Sequence, residues 1–268
     1  MLAEEILSQI DVLPVKELLP HEETISLNLK KLKEAMLNIG HLVDPVVIDK
    51  KTKLVLDGHH RRKVLDLIEC PNVTCQTVDY MSDKITVGSW YPIFDNKSIR
   101  DVIATPNLKS EEVDFEAGLN AVNKLQAAFL MYQNIDGKKK AYLLNPGHYK
   151  LREMIEEQNF VFSTINGSIN WRYISDDLAS NYLETGSTVL YRRIYSKAEI
   201  VKMAQDHTPF PPKSTRHCIP DRIIRLNMKL GWLHEDKDEA FNYLKSMLEK
   251  RLYEGNVRRY SEPVIVIY

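Results

Sequence analysis

The sequence predicts a mixed α/β (α+β) protein in which sheet content is spread along the whole chain. Strand-like and helix-like segments alternate through the first third, and further segments of both kinds follow towards the C-terminus. The 268 residues are enough for one large or two medium domains. A hydrophobic content of 44% and a charged content of 27% are ordinary for a soluble globular protein.

The N-terminal elements are predicted from hydrophobic periodicity. A helical pattern of apolar side chains includes Leu29, Leu32 and Met36, and Gly40 marks the end of that helix. Short β-branched or leucine-rich runs, bounded by polar turns, predict strands on either side of it. The predicted elements are a strand at 12–18, a helix at 24–38, strands at 44–49 and 53–57, a helix at 59–69 and a strand at 72–78.

The segment 105–123 is predicted to separate two domains. It is polar, it contains Pro106 and Gly118, and it includes an acidic start to a helix-like pattern. We therefore expect a first domain at 1–104 and a second α/β domain at 105–268.

Beyond this segment the pattern again mixes strands and helices. Ser196 and Glu199 have the spacing of a capping box, which supports a helix that begins there. Four prolines within 207–220 exclude regular structure in that stretch. The predicted elements are strands near 125–131, 140–145 and 188–194, helices near 147–158, 175–184 and 196–206, a strand at 222–228, a helix at 236–252 and a closing strand at 263–268.

The charge balance and the N-terminus exclude several classes of protein. Lys and Arg number 36 and Asp and Glu number 37, so the net charge of −1 gives no electrostatic reason to expect nucleic acid as the main partner. The first 14 residues lack the basic region of a secretory signal, and no apolar run approaches the length of a membrane span. We expect a soluble cytoplasmic protein without a membrane partner.

The cysteines do not indicate a disulfide framework or a metal site. Their number is odd, and Cys70 and Cys75 are not followed by a second Cys/His pair with zinc-finger spacing. We expect these two and Cys218 to be buried or half-buried thiols, and no metal ligands are predicted.

A cluster of charged side chains lies where a predicted strand turns into a helix, in the segment LVLDGHHRRKVL at 54–65. A helix N-terminus presents unpaired N–H groups and a partial positive charge, and Gly58 lets the backbone approach an anion closely. His59, His60 and Arg61 add side-chain donors, so the turn suits a phosphate, and Asp57 could orient a donor or lie beside a metal-bound phosphate. The alternative is that Asp57 caps the helix and the basic residues form a solvated first turn.

A second polar cluster is the loop PPKSTRH at 211–217. It places five polar residues in succession behind two prolines, and the guanidinium of Arg216 can bind a carboxylate or a phosphate with two hydrogen bonds. The alternative is an ordinary surface loop with scattered charge.

Two further segments supply single candidates. In LPHEET, Glu22 or Glu23 could act as a general base, or Glu23 could be a charge that favours the dipole of the following helix. In GSWYPIF, Trp90 and Tyr91 could line a small-molecule pocket, although aromatic residues in such a run are more often part of the core.

These four segments, in this order, resemble the free L-serine kinases of the ParB/sulfiredoxin-like fold. The matching pieces are LPHEE, VLDGHHR, WYPIF and PPKSTRH with a following Ile-Pro, and they span residues 12 to about 226. The family includes archaeal ADP-dependent serine kinases and a serine kinase of a staphylococcal siderophore pathway. The last forty residues look more like the siderophore-pathway enzyme.

The resemblance implies roles for individual residues. Glu22 takes the position of the catalytic base, although Glu23 beside it stays a second candidate, and Trp90 matches an aromatic of the substrate pocket. The segment that binds and transfers phosphate consists of Asp57, which is counted as catalytic, with Gly58, His59, His60 and Arg61. The loop around phosphoserine consists of Lys213, Ser214, Thr215, Arg216 and His217.

The implied reaction transfers a phosphoryl group from ATP or ADP to free L-serine and gives O-phospho-L-serine. Mg²⁺ is the expected cofactor because it bridges nucleotide phosphates in such reactions. A downstream enzyme that uses phosphoserine, in cysteine or diaminopropionate and siderophore synthesis, would be a functional partner.

The competing hypothesis is a ParB-like nucleotide-binding protein that binds DNA, which would need a helix-turn-helix with a basic recognition helix. A sulfiredoxin-type reductase would need a cysteine at the phosphate turn, where this chain has histidines.

Overall fold

The computed structural model describes residues 2–95, 102, 104–135, 137–165 and 170–260. By its contacts the chain divides into two compact units. Among the described residues, the first unit consists of 2–20, 24–85 and 219–260, and the second consists of 21–23 and those within 86–218.

The helices and strands follow the chain in mixed order. Up to residue 95 they are α1 (Leu2–Gln9), β1 (Ile10–Pro14), α2 (Ser26–Ile39), β2 (His41–Leu42), β3 (Val46–Asp49), β4 (Val55–Asp57), α3 (His59–Leu67), β5 (Asn72–Val78), β6 (Thr86–Gly88) and β7 (Trp90–Asp95). The next are β8 (Ser110–Val113), α4 (Phe115–Asn123), β9 (Ala127–Ile135), β10 (Lys138–Pro146), α5 (Leu151–Ile165), β11 (Arg172–Ser175), α6 (Ala179–Glu184) and β12 (Ser187–Tyr191). The last are α7 (Lys197–Gln205), β13 (Arg216–Cys218), β14 (Met228–Lys229), α8 (Leu230–Leu233) and α9 (Lys237–Tyr253).

The first unit is built on a mixed four-stranded sheet with the strand order β1-β5-β3-β4. β3 runs parallel to β5, and the other two pairs are antiparallel. Strand β3 is buried along its whole length, as expected for the apolar run that predicts it. β4 ends at Asp57, so the predicted phosphate turn lies at one end of the sheet.

The C-terminal helix α9 belongs to the core of the first unit. Its buried residues Ala240, Leu244 and Leu248 lie in one apolar cluster with residues of the sheet and of α3. They recur at helical spacing, so one face of the helix is apolar, as the sequence predicts. The contacts therefore group residues 219–260 with the N-terminal unit, whereas the sequence-based division assigns them to a domain that begins at residue 105.

The second unit is built on an antiparallel six-stranded sheet with the strand order β11-β7-β12-β9-β10-β8. Alternate residues of β9 enter two different apolar clusters, because successive side chains of a strand point to opposite faces. Phe129 and Met131 pack in the cluster of α5, and Leu130 and Tyr132 pack in the cluster of α4 and α6. The sheet thus carries helices on both of its faces.

Two segments differ from the sequence predictions. Of the strand predicted at 222–228, only Met228 lies in a strand. The backbone N–H groups of Ile223, Arg225 and Asn227 donate to the Gln76 side chain, the Asp44 side chain and the Val43 carbonyl instead of to a neighbouring strand. The stretch 207–220, predicted to be irregular, contains β13, which pairs with β6. The prolines lie outside those three residues and leave their backbone free to pair.

Other predictions are confirmed. Most predicted helices and strands are present within a few residues, and Ser196 and Glu199 form the predicted capping box at the start of α7. Cys70 and Cys75 are buried, as predicted, but Cys218 is exposed. The strand predicted at 263–268 lies outside the described residues. Among the described residues, no helix has the length and apolar character needed to cross a bilayer.

Candidate active site

The turn between β4 and α3 is shaped by Gly58. This residue precedes the first helical residue and has a φ of 99°, which glycine adopts most easily. A Cβ atom at this position would lie only 2.9 Å from a terminal nitrogen of Arg61, so the glycine lets that side chain fold back over the turn. The first turn of α3 contains no acidic residue. The predicted phosphate turn therefore combines a helix N-terminus with an arginine close to the backbone.

Asp57 holds two guanidinium groups rather than capping the helix. Its Oδ2 accepts hydrogen bonds from terminal nitrogens of Arg61 and Arg222, each at 2.6 Å. Partial burial raises the pKa of the Asp57 carboxyl, but the charges of the two arginines outweigh this effect and hold the pKa below its ordinary value. A carboxylate with a low pKa is a weak base, so the geometry favours an orienting role for Asp57.

The two histidines of the turn are placed differently. His60 Nε2 accepts a hydrogen bond from the backbone N–H of Ile25 at 3.0 Å. A ring nitrogen that accepts carries no proton, so this contact assigns the proton of neutral His60 to Nδ1. His59 lies near enough to Asp57 to contribute to its lowered pKa. His60 thus fixes the chain just before α2, and His59 lies beside Asp57 at the turn.

In the second unit, the side chain of Glu22 is bound by the loop PPKSTRH. Residues 21–23 lie beside Phe210, since Glu23 donates its N–H to the Phe210 carbonyl and Phe210 donates to His21. Glu22 Oε1 accepts from the backbone N–H and the hydroxyl of Thr215, both at 2.6 Å. Its Oε2 accepts from the backbone N–H of Lys213 at 3.2 Å.

The environment of Glu22 makes it a better base than an exposed glutamate. Its side chain is only 11% exposed. Burial raises the pKa of Glu22 above its ordinary value, and the hydrogen bonds from Thr215 and the charge of Arg192 offset only part of that increase. Its raised pKa and its place beside the loop are features of a general base.

Glu23 has a different environment. Although Glu23 as a whole is exposed, its carboxyl is partly buried, and this burial raises the pKa of Glu23. α2 begins at Ser26, so Glu23 lies two residues before the N-cap Ile25, and its support for the helix dipole stays a prediction. The structure therefore separates the two neighbours into a bound carboxylate and an exposed one.

Arg192 is a buried cation that binds the same loop from its carbonyl side. It is 1% exposed, and its guanidinium donates to the carbonyl of Lys213 at 2.6 Å, the hydroxyl of Ser214 at 2.9 Å and the carbonyl of Trp90 at 2.8 Å. Glu22 accepts from the N–H groups of the loop while Arg192 donates to its oxygens. The backbone at 213–215 is thus held by a buried anion and a buried cation, which partly compensate each other's charge.

The predicted substrate residues of this loop fall into two groups. Ser214 and Thr215 are buried, and their hydroxyls donate within the site, Ser214 to the Pro211 carbonyl and Thr215 to Glu22. Lys213, Arg216 and His217 are half-buried. The first group therefore shapes the loop, and the second group has side-chain surface that a ligand can reach.

Lys213 and Trp90 lie together. The ammonium of Lys213 is 5.1 Å from the centroid of the Trp90 ring, a cation–π distance. The sequence predicts both as substrate-binding residues, and the structure brings them into contact within the second unit.

Arg216 is already paired with an acid. Its Nε donates to Asp176 Oδ1 at 2.8 Å, and a terminal nitrogen lies 3.6 Å from Asp177. Asp176 approaches so closely that a Cβ atom on Gly88 would lie 2.6 Å from its Oδ1, so this contact requires glycine. Arg216 as a ligand of the serine carboxylate stays a prediction, and Asp176 is a partner that the sequence does not reveal.

His217 lies against His21, with ring centroids 5.3 Å apart and the rings nearly perpendicular. His21 is fully buried, and its Nε2 is 2.8 Å from the Thr215 hydroxyl. The two histidines therefore pack beside the residue that binds Glu22.

Sequence reasoning misses Arg192, Arg222 and Asp176. Each lies in a segment without a recognisable motif, and each has a partner that is distant in the sequence. The only local signal is the presence of arginines after the Ile-Pro that follows the late loop, at Arg222 and Arg225.

Comparison of the sequence with known proteins finds serine kinases. No protein-family model matches the chain. An ATP-dependent L-serine kinase of Staphylothermus marinus is 28% identical over 227 residues, which cover 78% of this chain and 85% of that protein. The ADP-dependent L-serine kinase SerK of Thermococcus kodakarensis is 24% identical over 225 residues, which cover 79% of this chain and 87% of that protein. The predicted resemblance is confirmed.

Comparison of the structure gives the same result for the fold. A free serine kinase in complex with AMP superposes with a TM-score of 0.69 at 22% identity, covering 84% of this chain and 93% of that one. SbnI with a C-terminal truncation, from Staphylococcus aureus, superposes with a TM-score of 0.71 at 19% identity, covering 93% of this chain and 99% of that one. The α+β fold predicted from the sequence is therefore the fold of these proteins.

Proposed function

We propose that this protein is a free L-serine kinase, which transfers a phosphoryl group from an adenine nucleotide to the hydroxyl of L-serine. The observation that carries the proposal is the largely buried carboxylate of Glu22, bound by Thr215 and Lys213 of the loop PPKSTRH. A carboxylate with a raised pKa beside a cationic loop is suited to accept the proton of an alcohol. The similarity to L-serine kinases of two archaea supports serine as the alcohol.

The nucleotide is assigned to the phosphate turn of the first unit. Gly58 and the N-terminus of α3 present backbone N–H groups, and Arg61 supplies a guanidinium beside them. Phosphoryl transfer depends mainly on positioning and on neutralising charge, which is what these groups provide. The AMP complex of the structurally similar serine kinase supports an adenine nucleotide as the ligand.

Mg²⁺ fits this assignment as part of the donor complex. In nucleotide sites it is usually held by phosphates, water and one or two carboxylates. The described residues contain no group of three or more His, Cys, Asp or Glu side chains that could hold a metal ion by themselves. Asp57 can supply one carboxylate oxygen, since both of its guanidinium contacts fall on Oδ2. When bound, the ion would neutralise charge on the transferred phosphoryl group.

The serine is assigned to the second unit. Lys213 and Trp90 offer an ammonium and an aromatic face, and Arg216 offers a guanidinium held by Asp176. The amino-acid carboxylate requires a cation, and Lys213 and Arg216 are the two in this loop. Ser214 and Thr215 fix the shape of the loop around these cations and around Glu22, and the half-buried His217 offers a further side chain to the ligand.

The product, O-phospho-L-serine, would pass to an enzyme that replaces its phosphate, as in cysteine, diaminopropionate or siderophore-type synthesis. A cytoplasmic location fits a reaction that uses nucleotides and a free amino acid.

The competing DNA-binding function finds little support, because the segment 125–206, where a helix-turn-helix would be needed, contains β9 to β12 with the helices that cover them.

The test is direct detection of the product. The purified protein is incubated with L-serine, Mg²⁺ and either ATP or ADP, and phosphoserine is sought by phosphorus NMR. Reactions without serine, and with L-threonine or D-serine in its place, serve as controls for the acceptor. Nucleotide hydrolysis without phosphoserine, or no reaction with either nucleotide, would refute the proposal.

A further inference from the structure

We infer that Arg222 is a second guanidinium of the donor-phosphate site, held ready for the nucleotide by Asp57. This inference rests on the proposed function only in taking the ligand of the turn at Gly58 to be an adenine nucleotide. Arg222 is 165 residues away from Asp57 in the chain, yet both belong to the first unit.

The backbone on both sides of Arg222 is fixed by one buried side chain. Gln76 of β5 is fully buried, and its amide donates to the carbonyl of Asp221 at 2.9 Å and accepts from the N–H of Ile223 at 2.9 Å. The segment itself has no regular secondary structure, so these two hydrogen bonds hold the backbone of Arg222 in place. A buried glutamine that binds the residues before and after an arginine presents that arginine from a defined position.

The charges at the turn do not balance without a further anion. Two guanidiniums meet on a single carboxylate oxygen, that of Asp57, and the first turn of α3 adds the positive end of a helix dipole and contains no acidic residue of its own. In addition, the Nε atom of Arg61 is buried and has no hydrogen-bond partner among the described residues. Such a donor ordinarily has a partner, and a phosphate oxygen is an acceptor of the right charge.

A purely structural role explains Arg222 less well. The ion pair with Asp57 is partly exposed, at 40% for the arginine and 37% for the aspartate, and pairs of that kind contribute little to stability. The segment is already held by Gln76. The bond to Asp57 uses one N–H of a group that has five, so Arg222 can bind Asp57 and a phosphate at the same time.

The experiment measures binding of ADP without serine, by isothermal titration calorimetry. Arg222→Ala should weaken ADP binding by about tenfold, the loss expected for one charge-assisted hydrogen bond. Arg222→Lys should fall between this variant and the wild type, because it keeps the charge and loses the planar fork. The matched control is Arg225→Ala, which removes an exposed arginine of the same segment whose backbone N–H bonds to Asp44. It should bind ADP within twofold of the wild type.

Thermal unfolding without nucleotide separates a binding role from a structural one. The inference would be overturned if Arg222→Ala bound ADP within twofold of Arg225→Ala and had a lowered melting temperature, because Arg222 would then be a structural contact. Weaker ADP binding by Arg222→Ala alone, with an unchanged melting temperature, would support it. Failure of the proposed function would look different, because the wild type would bind ADP and form no phosphoserine. A wild type that binds no ADP would overturn the inference as well.

Discussion

Replacing Glu22 with glutamine tests whether Glu22 acts in catalysis or only holds the loop PPKSTRH. The glutamine can keep its oxygen at the position of Oε1, where it still accepts from the N–H and the hydroxyl of Thr215. Its amide nitrogen then faces the N–H of Lys213, so one hydrogen bond is lost and the other two are no longer charge-assisted. The affected contacts are those at 2.6, 2.6 and 3.2 Å.

The structural cost of this change is moderate. Losing the charge-assisted hydrogen bond from Lys213 costs about 2 kcal/mol, and converting the two charge-assisted bonds from Thr215 to neutral ones costs about 1 kcal/mol each. Relief from the burial of a carboxylate offsets part of this loss, because burial is the largest influence on Glu22. Glu22→Gln should therefore lower the melting temperature by several degrees and leave the protein folded at 25 °C.

The catalytic cost should be much larger. Removing a positioned general base typically reduces the rate by about 10²–10⁴, which corresponds to about 3–5 kcal/mol in the barrier. We expect Glu22→Gln to lose most of its kcat for phosphoserine formation and to keep its affinity for nucleotide. The assay is phosphoserine production at saturating serine, with thermal unfolding of the same preparation.

Two controls define the result that would refute this reasoning. Glu23→Gln changes the exposed neighbour and should remain within a few-fold of the wild type. Thr215→Val removes a hydroxyl from the Glu22 site without changing the carboxylate, so it should raise the serine KM more than it lowers kcat. A loss of kcat in Glu23→Gln and not in Glu22→Gln would move the base to Glu23. Full activity in both glutamine variants would mean that the proton passes elsewhere, for example to the phosphate itself.

Three further outcomes are expected. Arg216→Lys should raise the serine KM severalfold through loss of the planar fork, and Asp176→Asn should act in the same direction because Asp176 holds the Arg216 side chain; an unchanged KM in both would make the pair structural. The ratio of kcat/KM values should favour ATP over ADP, if the last forty residues resemble those of the siderophore-pathway serine kinase as the sequence predicts; a preference for ADP would show that this segment does not determine the donor. Asp57→Asn should destabilise the protein near neutral pH, because the folded-state pKa of Asp57 lies below its ordinary value of 3.8. The loss in free energy of unfolding, relative to the wild type, should be largest above pH 3.8 and should shrink as the pH falls through the lower folded-state pKa of Asp57. Urea unfolding at several pH values measures this loss, and a loss that grows on acidification would contradict the assignment.

Local features of this protein follow from its sequence. The α+β class, the helix that ends before Gly40, the capping box at Ser196 and the strand-turn-helix around Gly58 depend on residues a few positions apart. Hydrophobic period, capping and glycine geometry act over that distance, so the sequence contains the whole signal. The motifs that resemble serine kinases are equally local, and for that reason they indicate the fold and the reaction before the structure is known.

Tertiary structure alone decided which charged groups meet. Arg222 reaches Asp57 across 165 residues, and Glu22 reaches Thr215 across 193. It also placed α9 in the core of the N-terminal unit and distinguished the bound Glu22 from the exposed Glu23 beside it. A charged residue in a segment without a motif carries no local sign of its partner, because the energy of a hydrogen bond or an ion pair depends on distance and burial in the folded chain. Those quantities exist only once the sheets and the apolar clusters have brought distant segments together.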